Sequence, residues 1–191
     1  MSRLSVYSQS LPEQPNKVLC HADDIARTLA EVGVGFEQQP VPAAVVPGSD
    51  VATLNAECQA LTQPLQALGY VVDEVISLKA AAAPAPALRA RFGAEFRLDG
   101  EHISLFVAGR GLVSLHLDEH VYELLCERGD LLTLPAGTRH WLDFGEPATV
   151  GVIRLHKPAQ GDAIQLTGDA IASHVDFADL ASGDRFELGT E

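Results

Sequence analysis

The chemistry open to this chain rests first on its seven histidines, His21, His102, His116, His120, His140, His156 and His174. Imidazole is a common nitrogen ligand for zinc, iron and nickel, and the side chain best suited to moving protons near neutral pH without a metal. In a cavity between two sheets, either use needs inward histidines or carboxylates from neighbouring strands. His116 lies in LVSLHL, where alternation places it on one face with Ser114 and Leu112, as a wall histidine with its hydrogen bonds met. His120 stands beside Asp118 and Glu119 in a hairpin turn and reads as solvated, while His21, His156 and His174 sit in loops or at strand ends with no partner pattern. Among the carboxylates, Glu95 precedes Phe96, and Asp99 and Glu101 flank Gly100 in a turn. On a strand Glu101 points away from His102, which makes it a poor companion ligand. No paired-carboxylate, Ser-His-Asp, phosphate-loop or dinucleotide pattern stands out. Cys20, Cys58 and Cys126 are odd in number and in no CxxC arrangement, so they form neither a disulfide framework nor a zinc cluster, and Cys58 and Cys126 read as core fillers.

The elements that must position these groups fall into two grammars. From Ala22 to Val34, Ile25, Leu29 and Val32 recur at helical spacing, with acids in the first turn and Gly33 at the stop. A second apolar stripe, Val51, Leu54, Cys58, Leu61, Leu65 and Leu68, predicts a helix capped by Ser49 or Asp50 and bent by Pro64. Val71 to Leu78 is β-branched and strand-like, Ala80 to Ala87 is a proline-broken connector, and a short helix follows around Leu88 to Phe92. From Glu95 onward short apolar strands alternate with Gly, Pro and Asp turns, the rhythm of a sandwich or small barrel with the helices packed outside.

A chain of 191 residues, 47% hydrophobic and 20% charged, is sized for a single domain spanning 1–191. It divides into a helical and strand part at 1–94, a β core at 95–160 and a closing segment at 161–191 whose acidic end is expected on the surface. Thirteen Lys and Arg against 26 Asp and Glu give a formal charge of -13, a field that repels nucleic acids and anionic membranes. Apolar runs such as Leu131 to Ala136 are far too short to span a bilayer, and the amino terminus lacks a signal core, so a cytoplasmic protein acting on a small-molecule substrate is expected.

The segment Glu123 to Gly145, ELLCERGDLLTLPAGTRHWLDFG, carries GD, LPAGTRHW and DFG elements in cupin order and resembles the acireductone dioxygenase family of the methionine salvage pathway. The resemblance extends to GRG at Gly109 to Gly111, to LPEQPNKVL near the amino terminus, to VISL at Val75 to Leu78 and to LTGDAIAS at Leu166 to Ser173. It implies a mainly β fold with peripheral α-helices, a cupin-type jelly-roll β-barrel, and a monomer, with a dimer left open. That family holds Fe(II) or Ni(II) with three His and one Glu, from an HxHxxxE element ahead of GRG and one His in PAGTxHW. His140 falls on the last of these. Counting back from Gly109, the two HxH histidines fall on Phe96 and Leu98 and the glutamate on His102, while the family's arginine near the substrate is Ser104. The expected pocket is then lined by Phe96, Leu98, Ser104, Phe106 and Trp141 around a catalytic pair, His102 and His140.

Phe96 and Leu98 have no donor electrons, so two coordination positions are gone. The leading expectation is a reaction without a cofactor, a lyase, isomerase or proton-transfer step in which His102 and His140 face one another and share a proton near neutral pH. The alternative is Fe or Ni held by His102 and His140, with water or substrate completing the shell of a dioxygenase. A further alternative is a non-catalytic cupin that binds a small molecule. The imidazole at 102 favours catalysis, because decay of a metal site does not require one there.

Overall fold

The computed structural model describes residues 1–79, 85–145, 147–158 and 164–174, with the backbone alone at 85, 86, 173 and 174. Residues 80–84 of the Ala80 to Ala87 connector and the acidic end after residue 174 fall outside these residues, while 85–87 are not connector but the first turn of a helix that starts at Ala85, ahead of the expected Leu88.

Two sheets share one long strand. The strands are β1 (Arg3–Ser8), β2 (Leu11–Leu19), β3 (Gly35–Gln38), β4 (Val71–Leu78), β5 (Phe96–Arg97), β6 (His102–Leu117), β7 (His120–Glu127), β8 (Asp130–Leu134), β9 (Arg139–Asp143), β10 (Val150–His156) and β11 (Gln165–Leu166). The carboxy-terminal half of β6 runs between β7 and β9 in a first sheet ordered β11-β5-β9-β6-β7-β1-β2. Its amino-terminal half runs between β8 and β10 in a second sheet that continues to β3 on one side and β4 on the other. Among the described residues the hydrogen-bonded path does not close, so the jelly roll is open rather than a sealed barrel. β6 changes sheets at Gly109, whose φ is 62° and where a Cβ would stand 2.0 Å from the Thr149 carbonyl oxygen. Only glycine fits that bend.

Alternation along β6 explains its unbroken apolar sequence. Phe106 points into the core between the sheets, with Leu132, Leu134, Val152 and Ile76, while Ile103, Leu105 and Val107 face outward into a second cluster with Val45, Leu54, Cys58 and Tyr70. The helices α1 (Ala22–Ala30), α2 (Val51–Glu57), α3 (Gln59–Ala67) and α4 (Ala85–Phe92) lie around this frame. Asp50 caps α2, its carboxylate accepting from the Thr53 amide at 2.9 Å, one of the two caps expected. The apolar stripe is split at Cys58 instead of bending at Pro64. Pro64 lacks an N–H and crowds the preceding turn, so the helix breaks upstream of it.

The β1–β2 hairpin and β3 were not assigned from the sequence. β2 reads LPEQPNKVL, and its two prolines are tolerated because it pairs with β1 alone at the sheet edge.

Candidate functional site

His140 is set by the turn before β9. Thr138 N and Oγ1 both donate to Pro135 O, Gly137 N donates to Leu98 O at 2.8 Å, and His140 Nδ1 donates to Thr138 O at 2.9 Å. That bond fixes the tautomer and leaves His140 Nε2 as an acceptor. His102 opens β6 and points inward, and its Nε2 lies 3.3 Å from His140 Nε2, with the rings stacked 4.8 Å apart. In the neutral pair His102 Nε2–H donates to His140 Nε2, and His102 Nδ1 lies 3.5 Å from the Gly100 carbonyl oxygen. Phe96, in register with His140 across the β5–β9 pair, packs its ring 4.2 Å from the imidazole.

The structure thus brings His102 and His140 together, but a proton shared near neutral pH is corrected. Burial first, then the charge of Arg154, pushes His102 down to about 4, and burial beside His102 holds His140 well below the ordinary imidazole value. Both rings are neutral at pH 7.

A cavity of about 300 Å³ opens beside His102, lined by Leu98, Gly100, Arg91, Arg154, His156 and Ile164 among others. Of the five expected pocket residues, Leu98 lines it. Phe96 lies behind it against His140, Ser104 is the cross-strand neighbour of Arg154, and Phe106 is in the core between the sheets. Trp141 is corrected outright. It follows His140 on a strand, so it points to the other face of the first sheet, where it packs with Tyr7, Val121 and Ile171. His140 does not line the cavity either; it lies behind His102.

Arg154 is the group that reading the sequence missed. The residue is 4% exposed, its Nε has no hydrogen-bond partner among the described residues, and its charge is met by Glu74 at 3.4 Å and by the Phe92 ring at 4.9 Å. Glu74 is shared with Arg91 at 2.5 Å. The signal was a charge inside VGVIRLH, an otherwise apolar strand buried on both faces. His156, dismissed as a strand-end residue, also borders the cavity, in register with His102 and 3.8 Å from Asp73.

Metal donors at this place are few. Phe96 and Leu98 offer none, Glu101 turns away to Tyr70 and Lys157, and among the described residues no group of three or more His, Cys, Asp or Glu donors includes His102 or His140.

Comparison with known proteins gives the lineage. Residues 48–163 match the model of the ARD/ARD' family. Proteins named acireductone dioxygenase are 46% identical in Pseudomonas paraeruginosa, over 91% of this chain and 96% of the relative, and 47% identical in Pseudomonas fluorescens over the same shares. An acireductone dioxygenase from Bacillus anthracis, solved with a cadmium ion in its active center, superposes with a TM-score of 0.72 at 21% identity over 86% of this chain and 97% of that one, a likeness of fold. The shared architecture, the PAGT turn that sets His140 and these matches together show that the chain belongs to the acireductone dioxygenase family.

Proposed function

We propose that this cupin acts on a small anionic metabolite by proton transfer, without the family's metal centre. The carrying observation is the neutral His102–His140 pair, 3.3 Å apart, beside a cavity that holds the buried cation Arg154. The family's three-His, one-Glu shell does not fit the residues present, since two of its positions hold hydrocarbon, and no step is routed through iron or nickel.

Arg154 has one long ion pair, to Glu74, with Asp73 acting on it from farther off, and its Nε has no hydrogen-bond partner among the described residues. A carboxylate, enediolate or phosphate in the cavity would complete it. Filling that place also lifts the depression that Arg154 imposes on His102, making the ring a stronger base once ligand is bound. His102 Nδ1 then accepts a proton from the ligand. The charge is shared through Nε2–H to His140, and the proton returns to a different ligand atom, so the net change is an isomerisation or the first half of an elimination. His140 is a positioning residue. The reading includes a monomeric, cytoplasmic protein with no partner beyond its substrate.

The test is a thermal-shift screen of small carboxylates, enediols and phosphates at pH 7, with metal content measured on protein purified without an affinity tag, before and after brief chelation. Anions are expected to raise the melting temperature, and Arg154→Leu is expected to weaken their binding at least about tenfold. The variant should fold, because Glu74 keeps Arg91. Solvent deuterium entering the bound ligand at a C–H position then reports the proton transfer. Binding without exchange would leave a non-catalytic binder, and no anion response at all would sink the proposal.

A second reading is favoured by the relatives' name and by the same 3.3 Å, the span of two nitrogens about 2.1 Å from one tetrahedral ion. Under it, near-stoichiometric iron or nickel survives chelation and disappears in His140→Gln.

A further inference from the structure

His116 lies on the face of the first sheet opposite His140, since it is in register with Arg139 while His140 is in register with Leu115. There it meets Glu95, with Nδ1 2.6 Å from Oε2, and the two side chains are 2% and 1% exposed. His116 Nε2 stands 3.4 Å from Gln9 Oε1, so both ring nitrogens face oxygens. Glu95 Oε1 accepts from the Thr167 hydroxyl at 2.5 Å, and its carboxylate has no Lys or Arg partner among the described residues. Asp169, exposed, brings a second carboxylate to the same place: one donor atom each from Glu95, His116 and Asp169 lie within 4.8 Å of one another.

We propose that Glu95, His116 and Asp169 form a site for a divalent first-row metal ion of the zinc type, on the outer face of the first sheet and separate from the cavity. Two carboxylates and an imidazole are a mixed nitrogen and oxygen set, which suits zinc, nickel or manganese better than calcium or magnesium. The cation balances two carboxylates that meet at one histidine. Gln9 Oε1 and the Thr167 hydroxyl are neutral oxygens at hand to extend the shell. A bound ion would tie three separate stretches together: the start of β5, the end of β6 and the turn after β11.

The test is calorimetric titration with Zn(II) at pH 7.5 of the wild type and of Asp169→Asn, His116→Gln and His140→Gln, with circular dichroism to confirm folding. One equivalent is expected in the wild type and in His140→Gln, with affinity at least about tenfold weaker in Asp169→Asn and His116→Gln. Asp169 is exposed, so its variant keeps the test valid if His116→Gln does not fold. Absence of binding would mean that the Glu95–His116 pair is held by a proton instead. Binding unchanged in Asp169→Asn, or lost in His140→Gln, would equally overturn the site. Because the variants separate the two faces, this result stands apart from the reading of the cavity.

Discussion

The triple variant Phe96→His, Leu98→His and His102→Glu is expected to hold close to one equivalent of Ni(II), under conditions where the wild-type cavity holds none. It should be made in an Asp169→Asn background, so that the outer face contributes nothing. With His140 in place, these changes rebuild the three-His, one-Glu set that the family resemblance implies. The geometry supports convergence, because Phe96 is in register with His140 and packs 4.2 Å from its ring. The side chain at 102 already reaches to 3.3 Å of His140 Nε2, and Leu98 borders the same cavity as His102. Without metal the variant should be less stable than the wild type by about 2–4 kcal/mol, since a fully buried phenyl ring becomes a polar ring in a hydrocarbon site. Nickel should restore about 4 kcal/mol at a thousandfold excess over its dissociation constant. Urea unfolding with and without chelator reads both numbers. If the variant takes up no metal, positions 96, 98 and 102 do not converge on His140, and the cavity is not what a metal centre leaves behind. Turnover is not expected from these changes alone, because Ser104 still stands where the family has arginine.

The fold was largely legible because its elements announce themselves locally. Ile25 and Leu29 share one helical face, Asp50 caps the next helix, and the strand and turn rhythm after Glu95 holds from β7 to β10, whereas GRG, which reads as a turn, is an unbroken part of β6. β1 was hidden because what makes it a strand is pairing with β7, a partner more than a hundred residues away in sequence, and β2 because it pairs with β1 alone and two prolines argue locally against it. The facing of His102 and His140 was legible through counting from Gly109. What counting could not supply was orientation. Trp141 next to His140 looked like pocket, yet one step along a strand turns a side chain to the other face. Arg154 and Glu74 lie far apart in sequence, and their meeting is created by the β4–β10 register. The neutrality of the two histidines is likewise a property of depth and of Arg154, neither of which is written in residue spacing.

Between pH 7.5 and pH 4.5 the native state is expected to lose about 2–3 kcal/mol of stability through His102 alone. In the unfolded chain its imidazole takes up a proton near 6.5, whereas in the native state burial and Arg154 delay uptake until about 4. Between those values the unfolded chain binds more protons, so stability falls as pH falls, and it is present in full above 6.5. The groups around the ring act in both directions. Arg154 and His156 oppose its charge, and Glu101 favours it, but Glu101 is spent on Lys157 and Tyr70 and does not reverse the balance. Urea unfolding of the wild type and of His102→Gln at the two pH values isolates this contribution, because the remaining carboxylates and histidines titrate in both proteins. The wild type should lose about 2–3 kcal/mol more than the variant. Equal losses would mean that the native ring takes up its proton where the unfolded chain does, near 6.5, and that burial and Arg154 do not set its protonation. A small anion beside Arg154 should shrink the difference, because it lifts the native value back toward 6.5 and so makes its own binding tighter as the pH falls from 6.5 toward 4.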